Sequence, residues 1–344
     1  MSTPSTNGLQ RIVCATDLTA RSTAAVRRAG SLARQTGARL TLLHVINSRH
    51  AARVARMQVN RAYAELLSQV DRTFGSAAGF VDVIVRRGEP RDIIGKTAIE
   101  SDADLVVVAA PQSRRLDSIV GTTAERLIRT AKRPVLVVHR DMQGVYQDVA
   151  IATDLSSASV PMIRTAVRLG ALDRASATVV HAIHPSYEDM MRSAGLDEAT
   201  IGLWRHSSHT GAKQRLQAII AAAGLNPQNV RVVVRGDAPA TAIRSVLGSQ
   251  GSELLAIGAS RWFFLKRLLI GSVADRVLRG ASCDVLVIPH RPAVLKLGTP
   301  AATDSDRLTA VPVNRDVSAV SRFVSVQRGL QQHDRGDRGA HAHE

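Results

Sequence analysis

Aromatic side chains make up only 3% of this 344-residue chain, and cysteine occurs twice, as Cys14 and Cys283. Two cysteines this far apart give neither a disulfide framework nor a zinc-ligand spacing. No apolar run is long enough to span a bilayer, and the polar start MSTPSTNGLQ does not read as a secretory signal, so a cytoplasmic protein without membrane contact is expected. The net charge of +16 comes without a Lys/Arg-rich block or interleaved aromatics. Specific nucleic-acid recognition is therefore not expected. A GxxxxGK[ST] loop and a G-x-S-x-G elbow are also missing, which removes Walker-type ATPases and elbow hydrolases.

What the chain does contain is itself, twice. RIVCATDLTARS (11–22) matches DVAIATDLSSAS (148–159), and VIVRRGEPRDIIGKTAIESDADLVVVAA (83–110) matches VVVRGDAPATAIRSVLGSQGSELLAIGA (232–259). IVGTTAERLIRTAKRPVLVVHR (119–140) matches LIGSVADRVLRGASCDVLVIPH (269–290). The order is kept while the offset drifts, as expected of a duplication with small insertions. In each copy short β-branched runs alternate with helical spacing. Strands are predicted near 11–15, 39–46, 81–86, 105–109 and 135–139, then near 148–152, 177–183, 230–235, 254–258 and 284–288. Single long helices are predicted over 51–74 and 188–223. Alternating β and α implies right-handed crossovers and parallel sheets covered on both faces. The expected organisation is one domain over 8–141, a second over 145–291, and a mobile polar tail over 292–344.

In such sheets ligands bind at the carboxyl ends of strands, where strand order reverses. Asp17 and Asp154 directly follow the first strand of each copy. An N-cap or Asx turn would explain an aspartate there, as would an acceptor for a ribose hydroxyl or an amino group. After the fourth strand of the second copy comes Gly258-Ala259-Ser260-Arg261, nine residues, then Gly271-Ser272-Val273. Glycines let backbone amides approach a phosphate, and a helix starting at Ser272 favours an anion. A capping box (Ser272-x-x-Asp275, or Thr122-x-x-Glu125 in the first copy) also accounts for the hydroxyl, but not for the fixed spacing from Gly258. His181 with His184, and His206 with His209, lack a third ligand at motif spacing, so ordinary surface histidines are expected rather than a metal site.

The ATDL after strand one, the RGDAPATAI segment and the IGSVADRVL loop before DVLVIP, in order and twice, resemble the universal stress protein family. The resemblance covers nearly all of 8–291. It implies an α/β fold of two tandem five-stranded parallel sheets in the order 3-2-1-4-5, of the adenine-nucleotide alpha hydrolase-like type. It also implies an internal pseudo-dimer in which VLVVHR (135–140) pairs with VLVIPH (285–290). Some members bind ATP through Gly, two residues, Gly, nine residues, then Gly and Ser or Thr. On that pattern a nucleotide site in the second copy would use Asp154, the backbone at Ala182 and Ile183, Gly258, Ser260, Arg261, Gly271, Ser272 and Val273, with Mg as counter-ion. Arg261 stands where the family has its middle glycine. The first copy departs further: Ala109 and Ala110 replace the leading glycine, Pro111 removes a donor, and the spacing to Gly121 is one residue short. The resemblance thus implies a non-enzymatic stress-response protein with adenine nucleotide in its second half, protein partners and a capacity for homo-oligomers. A nucleotide-free scaffold and a slow ATP hydrolase are the alternatives.

Overall fold

The computed structural model describes residues 8–47, 52–110, 123–130, 132–141, 144–156, 158–169, 176–259, 277–278, 281–289 and 311–312. The first copy forms β1 (Arg11–Thr16), α1 (Ala20–Thr36), β2 (Arg39–Ile46), α2 (Ala52–Phe74), β3 (Val81–Arg87), α3 (Pro90–Glu100), β4 (Leu105–Ala109), α4 (Thr123–Thr130) and β5 (Val135–Val138). The second forms β6 (Asp148–Ala152), α5 (Ser159–Arg168), β7 (Ser176–Ala182), α6 (Ser186–Ser193), α7 (Glu198–Ala222), β8 (Val230–Arg235), α8 (Pro239–Gln250), β9 (Leu254–Gly258) and β10 (Asp284–Ile288). The ten strands expected from the two copies are all present, each within a residue or two of its predicted ends.

The described strands make one sheet, in the order β11-β3-β2-β1-β4-β5-β10-β9-β6-β7-β8, where β11 is Val311–Pro312. Each repeat contributes a parallel 3-2-1-4-5 array, and the arrays meet where β5 and β10 run antiparallel, Leu136 opposite Leu286. The internal pseudo-dimer is therefore a single continuous sheet, and neither fifth strand is left as an open edge. Side chains alternate between its faces. Ile12 and Cys14 join Ala25, Val26 and Leu66 in the core under α1 and α2, which continues to Ile163, Leu216 and Ile220 under α5 and α7. Val13 faces the other way, into the core built with Ile94, Ala98, Leu127, Ile243 and Val246 from α3, α4 and α8.

Local chemistry sets the helix ends. Gly37, at φ 77°, takes the left-handed position after α1 and its N–H closes on the Ala33 carbonyl. Within α1, a β-carbon at Gly30 would lie 2.2 Å from the Phe74 ring, so only glycine lets α2 pack this closely. The helix predicted over 188–223 is two helices instead. Gly195 adopts φ 79° after α6, where the amides of Ala194 and Leu196 bond back to Met190 and Met191, and Asp197 then caps α7 by accepting from the Thr200 amide at 2.7 Å. A left-handed glycine followed two residues later by a capping aspartate ends one helix and begins another. From the stretch read as a tail, Val311 and Pro312 pair antiparallel with Val83 and Asp82 of β3. Its other residues lie outside those described.

Among the described residues, one buried ion pair joins the two repeats at the seam. Arg28 of α1 and Asp284 of β10 are each 1% exposed, with Nε 3.2 Å from Oδ2. The Asp284 carboxylate also accepts from the Tyr146 hydroxyl at 2.9 Å and from the amides of His139 and Arg140 at 2.9 and 3.2 Å. Arg28 donates through Nη1 to the Gly144 carbonyl at 2.7 Å and lies 4.2 Å from the Tyr146 ring centre. Among the described residues Nε makes no directed hydrogen bond, so its contact with Asp284 is Coulombic. Removing one member of such a pair leaves a buried charge without compensation, at a cost of about 3–5 kcal/mol. Asp284→Ala is expected to lower unfolding free energy by about that much in urea denaturation. Arg28→Met combined with Asp284→Leu is expected to cost less than either change alone.

Candidate functional site

The rim at the carboxyl ends of the strands carries the same local network in both copies. In the second copy, Thr153 Oγ1 lies 2.5 Å from Ser159 Oγ at the start of α5 and accepts from the Leu155 amide at 3.2 Å. Leu155 takes a positive φ of 60°, and Asp154 Oδ1 accepts from the Ser156 amide at 3.0 Å, an Asx turn. In the first copy Thr16 and Ser22 are 2.9 Å apart, Leu18 donates to Thr16 Oγ1 at 3.1 Å with φ 64°, and Asp17 Oδ1 accepts from the Thr19 amide at 3.0 Å. The aspartates sit in turns ahead of the helices, and neither caps one.

Two histidines hold these turns to the neighbouring strand. His44 on β2 reaches the Thr16 carbonyl and His181 on β7 reaches the Thr153 carbonyl, both through Nδ1 at 2.9 Å. A carbonyl only accepts, so Nδ1 carries the proton in each ring. From the sequence, His181 and His184 were expected to be ordinary surface histidines rather than a metal site. The structure instead gives His181 a positioning bond, and His184 Nδ1 lies 2.8 Å from Ser186 Oγ and accepts from the Ser186 amide. Among the described residues no group of three metal-ligating side chains occurs. The signal that was missed is the repeat itself: HVI at 44–46 aligns with HAI at 181–183.

Of the anticipated site residues, Asp154, Ala182, Ile183 and Gly258 come together. Ala152 of β6 pairs with Ile257 of β9, which puts Gly258 beside Thr153 and next to Asp154, at the point where strand order reverses. Ala182 ends β7 on the same rim. The Ile183 amide is committed to the Arg235 carbonyl at 2.8 Å, so that backbone offers acceptors rather than this donor. A β-carbon at Gly258 would meet the Met162 sulfur at 3.3 Å, so packing against α5 already favours glycine there. Ser260, Arg261, Gly271, Ser272 and Val273 lie outside the described residues, as do Pro111, Gly121, Thr122 and the whole of Ser272-x-x-Asp275, while Glu125 falls in the first turn of α4.

The two aspartates are not equivalent. Asp17 Oδ1 also receives the Thr19 hydroxyl at 2.6 Å, and Oδ2 faces Arg21 at 3.9 Å. Among the described residues, the Ser156 amide is the sole partner of Asp154. Partial burial alone would push the Asp17 carboxyl up. Hydrogen bonds from Thr19 and Ser22, with the Arg21 charge, outweigh it and hold the carboxyl below its ordinary range. Burial disfavours the thiolate of both cysteines and pushes Cys283 up to about 11.

Two parallel α/β units in one chain, each with a carboxylate turn pinned by a strand-two histidine at its switch point, define a duplicated doubly wound protein. The model of the Universal stress protein family matches residues 8–139 and again 146–289. The chain belongs to the universal stress protein family.

A universal stress protein of Mycobacterium tuberculosis H37Rv is 26% identical over 201 residues, 55% of this chain and 65% of that relative. The chain thus matches just under two thirds of that protein's length. Universal stress protein G of Salmonella typhimurium is 32% identical over 124 residues, 33% of this chain and 86% of that protein. Among solved structures, a universal stress protein from Archaeoglobus fulgidus DSM 4304 aligns with a TM-score of 0.61 at 20% identity, covering 83% of this chain and 99% of its own. At that identity the likeness is one of fold.

Because its folded carboxyl lies below the unfolded value, Asp17 contributes stability above the ordinary carboxylate range and loses it as pH falls through the folded value. Thr19→Val removes one of the bonds responsible. It is expected to raise the Asp17 carboxyl toward its ordinary range, followed by carbon-detected NMR titration of that side chain.

Proposed function

We propose that the chain is a regulatory stress-response protein that binds adenine nucleotide, ATP with Mg as counter-ion, in its second crevice. The carrying observation is Asp154: a carboxylate on the rim, bonded among the described residues to one amide, one residue along from the point where bare Gly258 backbone lies alongside. On this reading Asp154 accepts a ribose hydroxyl, and carbonyl oxygens at Ala182 and Ile183 face the adenine amino group. Gly258 begins the phosphate-side loop that continues through Ser260, Arg261, Gly271, Ser272 and Val273. A fixed acceptor at the switch point, with glycine backbone beside it, is the arrangement that doubly wound folds use for nucleotides. The role proposed is non-enzymatic and cytoplasmic. Among the described residues no helix is long and apolar enough to cross a membrane.

A nucleotide-free interaction scaffold is the second reading, and the α6–α7 hairpin favours it. The second copy spends more residues than the first between its second and third strands, and there it exposes Tyr187, Met190, Leu196 and Leu203. Exposed apolar side chains along these two helices and their connection are candidates for a contact surface.

Thermal unfolding with and without Mg-ATP separates the two. At 100 times its dissociation constant the nucleotide is expected to add about 2.7 kcal/mol of stability. Asp154→Ala is expected to abolish that gain, while Asp17→Ala leaves it in place. No shift in the unaltered protein, together with no nucleotide released on denaturation, favours the scaffold. Phosphate release that disappears in Asp154→Ala points to slow hydrolysis.

A further inference from the structure

The rim networks align the two repeats residue by residue. Thr16 with Ser22 and Thr153 with Ser159 make the same hydroxyl pair, and Leu18 and Leu155 close the same turn. On that register Arg21 in the first repeat corresponds to Ala158 in the second. Arg21 Nη1 donates to the Ala110 carbonyl at 3.4 Å, while Nη2 lies 3.9 Å from Asp17 Oδ2. Asp17 directly follows β1 and Ala110 directly follows β4, and these strands are neighbours at the reversal of strand order. The guanidinium therefore spans the first crevice from one wall to the other. With the Thr19 amide and hydroxyl on Oδ1, both Asp17 oxygens are engaged. Ala158 ends at its β-carbon and cannot make this reach.

We infer that Arg21 excludes an adenosine-type ligand from the first crevice by standing in for it, as a tethered donor to the rim aspartate and to the facing strand end. The inference rests on the reading that such crevices take the adenosine part of a nucleotide. It adds a residue that selects between two sites whose rim turns match. A guanidinium is a planar fork of several donors, so a single side chain can face both walls at once. A ligand entering the first crevice has to displace it, and its apparent affinity falls by the fraction of time the crevice is open. Departures in the phosphate loop, at Ala109, Ala110 and Pro111, are a separate matter: they bear on phosphates, whereas Arg21 bears on the nucleoside.

Adenosine, which needs no phosphate loop, is therefore the probe, used on the full-length chain with the second crevice silenced by Asp154→Ala. Equilibrium dialysis with labelled adenosine compares that chain with one also carrying Arg21→Ala. The doubly substituted chain is expected to bind at least about tenfold more tightly, and further substitution of Asp17→Ala is expected to remove the gain. Arg21 is 42% exposed, so its replacement is expected to leave the melting temperature within a few degrees. Arg21→Gln, which lacks the two-walled reach, is expected to show the same gain. No gain in either double variant overturns the inference, as does a gain that survives Asp17→Ala. An unaltered chain that takes up no ATP overturns the proposed function alone, because the adenosine comparison does not use the second crevice.

Discussion

One guanidinium buried between two homologous halves governs how this molecule holds together. Arg28 comes from the first repeat and Asp284 from the second, and both are sealed from water. Burying two opposite charges repays its desolvation cost only when the remaining donors and acceptors are satisfied. Here Tyr146, two seam amides and the Gly144 carbonyl do most of that work. The amides belong to His139 and Arg140, just past β5, so the carboxylate at the head of β10 is bonded across the antiparallel seam. A one-residue slip of β5 against β10 would separate these groups and would turn every seam side chain to the opposite face. The ion pair thus works as a register key as well as a contact.

The key is used once. On the alignment of the repeats, the counterpart of Arg28 is Thr165 and that of Asp284 is Pro134. A separate homodimer would have to place the same pair on both sides of its axis. A covalent tandem is released from that symmetry, and its halves have diverged at the seam and again at the rim. The rim divergence follows the same logic. The Asx turn, the left-handed leucine, the hydroxyl pair and the histidine bond are common to both copies, so the scaffold of each crevice is conserved within the chain. Arg21 against Ala158, and glycine against alanine at the end of the fourth strand, decide what each crevice presents.

Much of this architecture was legible before any coordinates. The strands were readable because buried parallel strands are nearly continuous β-branched runs, and LVVVA and DVLVI could hardly be anything else. The ATDL turns were readable because aspartate after a strand has few local options. The break between α6 and α7 was also written in the chain, as Gly195 followed by Asp197, but the apolar spacing on either side masked it. The histidine bonds were hidden because they join a side chain to a carbonyl on a neighbouring strand, 28 residues away in both copies. Arg21 looked like one more arginine in a basic protein, since its meaning depends on Ala110, 89 residues further on.

The sequence by itself determined the duplication, the strand and helix types, and the identity of the rim aspartates, because these follow from periodicity and from chemistry within a few residues. Only the tertiary structure decided that the seam between the two arrays is locked by Arg28 and Asp284, that His44 and His181 pin the turns, and that a guanidinium engages Asp17 while among the described residues none engages Asp154. Those outcomes depend on which distant groups share a low-dielectric seam or face one another across a crevice, and chain folding alone sets those distances.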